Sequence, residues 1–136
     1  MEGLSRPVGG PSVRGVGLDL VDLERFREVV SRRPGVLGRI FSERELSAIT
    51  GADATERSIR LAGCFAAKEA AMKAIGVGLD RVSLHDIVVR DDGGAAPSIE
   101  FEGAAADRAM VLGVRAVAVT IAETAGVVSA MVVSSG

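Results

Sequence analysis

Apolar and polar residues alternate near the start of the chain, in the segment VRGVGLDL. Val16, Leu18 and Leu20 alternate with glycines and with Asp19. A period of two predicts a strand, and Asp19 falls on its glycine face. The apolar residues of the next segment, VDLERFREVV, recur at helical spacing, and Asp22 is a plausible N-cap. The pattern therefore predicts a strand that leads directly into a helix.

The remaining segments predict an α+β fold. LGRIFSERELSAI predicts a short second helix, with Ser42 and Glu45 in a capping-box pattern. Residues 56–75 form the longest helical candidate, which ends at GVG. Two strands joined at an Asp-Asp-Gly-Gly turn follow, then a short helix over 104–112 and a hairpin in which RAVAVTIAE and VVSAMVVS are joined through TAG. The order β, α, α, α, β, β, α, β, β predicts mostly antiparallel pairing.

The length of 136 residues fits a single domain with its own core. We expect residues 1–12 to be a flexible tail, because glycine and proline interrupt any period there, and residues 13–136 to form the domain. We find no signal-peptide pattern and no run of about 18 apolar residues, so we expect a cytoplasmic protein that does not enter a membrane.

Composition argues against several classes of function. The net charge of -2 and the absence of Trp and Tyr argue against nucleic-acid binding. Cys64 is the only cysteine, which excludes an internal disulfide framework and a Cys-based zinc cluster. We interpret Cys64 as a small buried hydrophobic residue, and His85, the only histidine, as a structural residue of a predicted strand.

The longest predicted helix carries a carboxylate within its apolar stripe. Glu69 is in line with Phe65 and Met72, where an unpaired charge is costly. Lys73 lies four residues further on, so one interpretation is an ordinary i,i+4 ion pair. The other is a magnesium or phosphate site, in which Asp19 and Glu69 supply hard oxygen ligands. Asp19 could equally be a capping carboxylate, and the residues alone leave these alternatives open.

Arginines are concentrated on and after the first predicted helix, among glutamates. One interpretation is a solvated helix face, and the other is a docking surface for an acidic partner. The arginines concerned are Arg25, Arg27, Arg32, Arg33 and Arg39.

Two stretches resemble the signature motifs of the holo-acyl-carrier-protein synthases, the small phosphopantetheinyl transferases. GVGLDLVDLERF is similar to the first motif, and FAAKEAAMKAIGVG is similar to the second, which is long and specific. IFSEREL, LHDIVV and SAMVV follow in the order of the family. The resemblance covers roughly residues 13–133.

This resemblance implies a compact α+β protomer, with a mostly antiparallel sheet packed with a long helix, that assembles as a homotrimer. It also implies transfer of 4'-phosphopantetheine from coenzyme A to a serine of an apo acyl carrier protein, with Mg²⁺, in fatty acid or polyketide biosynthesis. The matching metal ligands are Asp19 and Glu69, and Lys73 would meet the phosphates. Either Glu69 or a water held by it would take the serine proton.

The resemblance implies further binding residues on both sides of the reaction. Those expected to contact coenzyme A are Lys68, Lys73, Gly76, Gly78 and Glu123. Those expected to face the acidic helix of the carrier protein are Arg25, Arg27 and Arg32.

Four positions depart from the family pattern. Cys64 replaces a basic residue, Val77 replaces a threonine, and Ala122 and Glu123 replace a serine or threonine and a histidine. A glutamate near bound phosphates would weaken coenzyme A binding unless it turns away or is protonated. The alternatives are therefore a repurposed member that acts on another substrate in specialised metabolism, and a non-catalytic carrier-protein-binding protein.

Overall fold

Five α-helices and five β-strands occur along residues 12–91 and 94–136, the part of the chain that the computed structural model describes. In chain order they are β1 (Val13–Asp22), α1 (Leu23–Arg32), α2 (Val36–Ile40), α3 (Glu43–Ala48), α4 (Ala54–Ala74), β2 (Ile87–Arg90), β3 (Ser98–Phe101), α5 (Gly103–Val111), β4 (Ala116–Thr124) and β5 (Val127–Ser135). A short 3-10 helix, Leu84–Asp86, precedes β2. None of the helices in these two ranges is both long and apolar enough to cross a membrane.

The strands form two antiparallel sheets. In the larger sheet β5 lies between β1 and β4, and in the smaller one β2 pairs with β3. Leu18 of β1 lies opposite Met131 of β5, which lies opposite Thr120 of β4. Helix α4 packs across the larger sheet and carries most of the buried alanines. The predicted α+β class with mostly antiparallel pairing is confirmed.

The glycine face of β1 packs directly on the backbone of α4. A Cβ atom on Gly17 would lie 1.8 Å from the carbonyl oxygen of Ala70, and one on Gly15 would lie 2.0 Å from that of Ala74. Real Cβ atoms do not approach an oxygen so closely, so any side chain at either position would push the strand off the helix. The two glycines therefore allow the strand and the helix to touch through their main chains.

The opposite face of β1 is apolar and exposed. We call four exposed apolar residues on this side of the sheet the outer sheet face. They are Val16 (55% exposed), Leu18 (55%), Leu20 (64%) and Met131 (43%). The first three belong to β1 and the last to β5, and Leu18 and Met131 are direct cross-strand neighbours. Since contiguous exposed apolar surface is uncommon on soluble monomers, this face has the character of an interface.

The segment predicted as one short second helix forms two helices instead. Phe41 is extended and buried between α2 and α3, and Ser42 caps α3. The Ser42 hydroxyl accepts a hydrogen bond from Glu45 N, and the Glu45 carboxylate accepts one from Ser42 N. The predicted capping box is therefore confirmed, and it begins a new helix after α2 rather than extending one.

Two further expectations need correction. His85 lies in the 3-10 helix and not in a strand, because Ser83 caps that turn. Ser12, expected in the flexible tail, exchanges two backbone hydrogen bonds with Gly136. The rest of that predicted tail, and residues 92 and 93 of the predicted Asp-Asp-Gly-Gly turn, lie outside the described residues.

We predict that Gly17→Ala lowers the free energy of unfolding by about 3 kcal/mol, because the added methyl must separate β1 from α4. The matched control is Gly38→Ala in α2, where a Cβ has nothing within 4 Å. The free energy of unfolding of this control should rise by about 0.5–1 kcal/mol, because alanine has a higher helix propensity than glycine. Urea unfolding measures both variants, and a Gly17→Ala protein as stable as the wild type would contradict the close packing.

Candidate active site

Lys73 joins the long helix to the first strand. Its Nζ donates to the carbonyl oxygen of Leu18 at 2.9 Å and to Oδ1 of Asp19 at 3.1 Å. The ion pair that Lys73 forms among the described residues is therefore with Asp19, rather than the i,i+4 pair with Glu69 that the helical spacing allowed. This contact depends on the β1–α4 packing, because its partners are 54 residues apart in sequence.

Glu69 is a half-buried carboxylate on the same helix, one turn before Lys73. Burial raises the pKa of Glu69 above its ordinary value, and the negative charge of Asp19 raises it further. The ammonium of Lys73 acts in the opposite direction and lowers it. The Glu69 carboxylate therefore lies in a place where additional positive charge would be favourable.

Asp19 and Glu69 both line one groove of about 550 Å³ between β1, α1, α2 and α4. Arg25 also lines it, and most of the remaining lining is apolar, including Phe26 and Phe65. These two rings stack with their centroids 6.0 Å apart and join α1 to α4. The groove thus combines three carboxylates, of which Asp22 is the third, and a guanidinium with an apolar wall.

The carboxylates of Asp19 and Glu69 fit a divalent cation that takes few protein ligands. No group of three or more His, Cys, Asp or Glu side chains that could hold a metal ion occurs within residues 12–91 and 94–136. Magnesium needs only one or two carboxylates when water and substrate phosphates supply the other oxygens. The ammonium of Lys73 on Asp19 shows that a cation is already accommodated at this carboxylate.

Lys68 does not join this group, which corrects the expectation that it contacts a cofactor. Its side chain is fully buried, and its Nζ donates to Glu45 Oε1 at 2.9 Å and to the carbonyl oxygen of Leu84 at 2.8 Å. The ring of Phe41 lies 5.3 Å from the ammonium. The other oxygen of Glu45 accepts from Val89 N. Lys68 therefore ties α4 to α3 and β2, and its side chain is enclosed by the protein.

Gly76 and Gly78 lie in the turn that follows α4, and Gly76 has a positive φ of 67°. Arg108 of α5 approaches this turn and donates from Nε to the carbonyl oxygen of Ile75 at 2.9 Å. The sequence did not single out Arg108, because Arg108 and its partner Ile75 are 33 positions apart in the chain. It adds a positive charge beside the predicted cofactor turn.

Glu123 turns toward its own hairpin. It lies exposed near the end of β4, and its Oε2 accepts a hydrogen bond from Gly126 N at 3.3 Å. Ala125 and Gly126 form the turn with positive φ angles of 51° and 80°, as type I' hairpins require. The carboxylate at this position therefore has a structural partner within the turn.

Cys64 cannot replace the basic residue of the family pattern. It is fully buried on α4, and burial above all raises its pKa to about 12, so the thiol stays neutral.

The predicted docking arginines lie on α1, where Arg32 forms an exposed pair with Glu28 at 2.7 Å. Arg25 lines the groove of Asp19 and Glu69, and Arg27 lines a neighbouring cavity beside the β4–β5 turn.

Comparisons with known proteins find relatives that share one family. The family model of the 4'-phosphopantetheinyl transferase superfamily matches residues 15–122. A holo-acyl-carrier-protein synthase of Streptomyces avermitilis is 41% identical over 128 residues, which cover 92% of this chain and 99% of the relative. The solved holo-acyl-carrier-protein synthase of Neisseria meningitidis is 28% identical with a TM-score of 0.78, and covers 90% of this chain and 98% of its own. The Helicobacter pylori enzyme, solved in complex with coenzyme A, is 28% identical with a TM-score of 0.73, with coverage of 88% and 98%.

We predict that Glu69→Gln raises the free energy of unfolding of the metal-free protein at neutral pH. Glutamine keeps the shape of the side chain and removes a charge that burial and Asp19 disfavour. Because the folded pKa lies above the unfolded value of 4.5, the charged carboxylate destabilises the fold fully above the raised pKa. This destabilisation shrinks as the pH falls through the raised pKa and disappears below 4.5.

Urea unfolding at neutral pH and below the unfolded pKa measures this difference. Glu100→Gln, at an exposed carboxylate of β3, serves as the control and should change stability little at either pH. A Glu69→Gln protein that is less stable than the wild type at neutral pH would show that Glu69 is not electrostatically disfavoured.

Proposed function

The chain belongs to the 4'-phosphopantetheinyl transferase superfamily, and we propose that it is a holo-acyl-carrier-protein synthase. It transfers the 4'-phosphopantetheine group from coenzyme A to a serine of an apo acyl carrier protein. The relatives that bear this name match over nearly their whole length. None of these comparisons supports the repurposed or non-catalytic alternatives. The observation that carries the proposal is the grouping of Asp19, Glu69 and Lys73 beside one groove.

Asp19 and Glu69 would hold Mg²⁺, which when bound supplies charge neutralisation for the pyrophosphate of coenzyme A. The Lys73 ammonium lies beside Asp19 and adds a further positive charge for the phosphates. The serine oxygen forms a bond to the phosphorus next to pantetheine, and the bond from that phosphorus to the adenosine 3',5'-bisphosphate leaving group breaks. The serine proton passes to Glu69 or to a water held by it.

The cofactor side of the site includes the turn after α4. We propose that Gly76 and Gly78 contact coenzyme A there, with Arg108 as a nearby positive charge. Glu123 has a partner in its hairpin turn, so its carboxylate is held toward that turn. Buried Lys68 has no part in this proposal.

The carrier protein would dock on α1. Arg25, Arg27 and Arg32 present positive charge on this helix, which favours encounter with an acidic helix of a partner. Arg25 also lines the groove that contains Asp19 and Glu69. A carrier protein bound along α1 would therefore have its serine close to the two carboxylates. Because Cys64 is the only cysteine, the chain has no internal disulfide framework, and we propose that the reaction takes place in the cytoplasm.

We also propose that three copies assemble through the outer sheet face. Each copy presents Val16, Leu18, Leu20 and Met131 to solvent on one side of the larger sheet. In a closed ring of three, the outer sheet face of every protomer is buried against a neighbour, and none remains exposed to solvent.

The experiment that tests the activity is the intact mass of an apo acyl carrier protein incubated with the protein, coenzyme A and Mg²⁺. The wild type should add one phosphopantetheine. Glu69→Gln should slow the transfer by about 100-fold or more, because it removes one of two metal ligands. Glu100→Gln should transfer at the wild-type rate. If several carriers that a known transferase modifies gain no mass with the wild type, the proposed activity is wrong.

We predict that Leu18→Glu converts the trimer to monomers, because it would place three carboxylates in an apolar interface. Light scattering after size exclusion measures the mass of the wild type and of the variant. Met110→Glu is the control, since Met110 is a highly exposed apolar residue of α5 that lies outside the larger sheet. A monomeric wild type, or a trimeric Leu18→Glu protein with native stability, would rule out this interface.

A further inference from the structure

The ammonium of Lys73 is engaged by β1. Two of its three protons are directed at β1, one to the Leu18 carbonyl oxygen and one to Asp19 Oδ1. A lysine held in this way offers at most one proton to a phosphate. The contact therefore opposes the use of the same ammonium for an anionic substrate.

Lys73 supplies positive charge beside two carboxylates that repel each other. Asp19 and Glu69 are both negative, and the ammonium offsets part of their repulsion. Asp19 is mostly buried, with 22% of its side chain exposed, whereas Lys73 is 55% exposed. An exposed lysine contributes little through such a pair, so a divalent cation can displace it at low cost.

We propose that Lys73 is a placeholder cation on Asp19, and that a divalent metal ion displaces its ammonium from the carboxylate and so frees it for the phosphates of the substrate. This inference rests on the proposed function, because it takes Asp19 and Glu69 as the metal ligands. It adds a competition at the site. The metal competes with Lys73 for Asp19, and a phosphate competes with Asp19 for Lys73.

The displacement couples the two ligands of the site. Metal bound at Asp19 repels the ammonium, and an ammonium drawn to a phosphate leaves the carboxylate free for metal. Because coupling between two binding events is reciprocal, each ligand then strengthens the binding of the other. The same lysine thus opposes metal binding before the substrate arrives and no longer competes for Asp19 once a phosphate holds its ammonium.

The lysine content of the chain makes the displacement directly observable. The chain contains two lysines, Lys68 and Lys73. Protein labelled with ¹³C at the lysine ε carbon should give two signals, and Lys73→Arg assigns them by removing one. Titration with Mg²⁺ in the absence of coenzyme A should shift the Lys73 signal. The Lys68 signal should stay in place, because its ammonium is buried against Glu45.

The opposite results would overturn the proposal. If calorimetry shows that Mg²⁺ binds while the Lys73 signal stays in place, the lysine is not displaced. If both signals move equally, the change extends through the protein and is not local to Asp19. If Mg²⁺ binds neither the wild type nor Asp19→Asn, Asp19 and Glu69 do not form a metal site. In that case both the proposed site and this inference are wrong.

The affinity for Mn²⁺, followed by electron paramagnetic resonance of the free ion, provides a second test. Lys73→Met should bind Mn²⁺ about fivefold more tightly than the wild type, because the competing charge on Asp19 is gone. The matched control is Arg25→Met, which removes a positive charge from the lining of the same groove and should change the affinity by less than about threefold. Equal gains in both variants would indicate a general charge effect and would contradict displacement from Asp19.

The stability of Lys73→Met separates a folding defect from a binding effect. Without metal, the variant should melt below the wild type, because Asp19 and Glu69 lose their shared positive neighbour. Mg²⁺ should raise its melting temperature more than that of the wild type, since a ligand that binds the folded state more tightly stabilises it more. A smaller rise than in the wild type would contradict the proposal.

Discussion

The direct contact between the backbones of β1 and α4 is the constraint on which the site depends. Gly15 and Gly17 have no Cβ atoms to meet the carbonyl oxygens of Ala74 and Ala70. Ser134 of β5 reinforces the contact by donating its hydroxyl proton to the carbonyl oxygen of Ala74 at 2.9 Å. With the strand this close, a lysine of α4 reaches both a main-chain oxygen and the Asp19 carboxylate of β1. A bulkier strand would hold the same side chains too far apart to form one site.

Two consecutive residues of α4 have opposite roles because they point in different directions from the helix. Lys68 is fully buried, and its pair with Glu45 links α4 to the capping box of α3 and to β2. Its burial lowers its pKa, and the Glu45 carboxylate acts against that change and favours the charged form. Glu69 faces the groove beside Asp19. The buried pair thus helps to set the rotation of the helix that presents Glu69.

The sequence predicted the structure best where the pattern involved residues close together in the chain. The capping box of Ser42, the N-cap of Asp22 and the hairpin through Ala125 depend on residues within a few positions of each other, and each is confirmed. It also selected Asp19, Glu69 and Lys73 as candidates. It could not predict that Lys73 pairs with Asp19, that Lys68 is enclosed, or that Arg108 reaches the end of α4. Those facts depend on which distant elements pack together, and no local pattern in the chain encodes that packing.

The positions that differ from the family pattern are accommodated in this fold by burial or by a local partner. Cys64 lies in the core, and Glu123 bonds to its own turn.

Anomalous diffraction from crystals soaked in Mn²⁺ tests most directly whether Asp19 and Glu69 form one metal site. We expect a peak within coordination distance of both carboxylates. A well-occupied peak elsewhere, with none between Asp19 and Glu69, would contradict it.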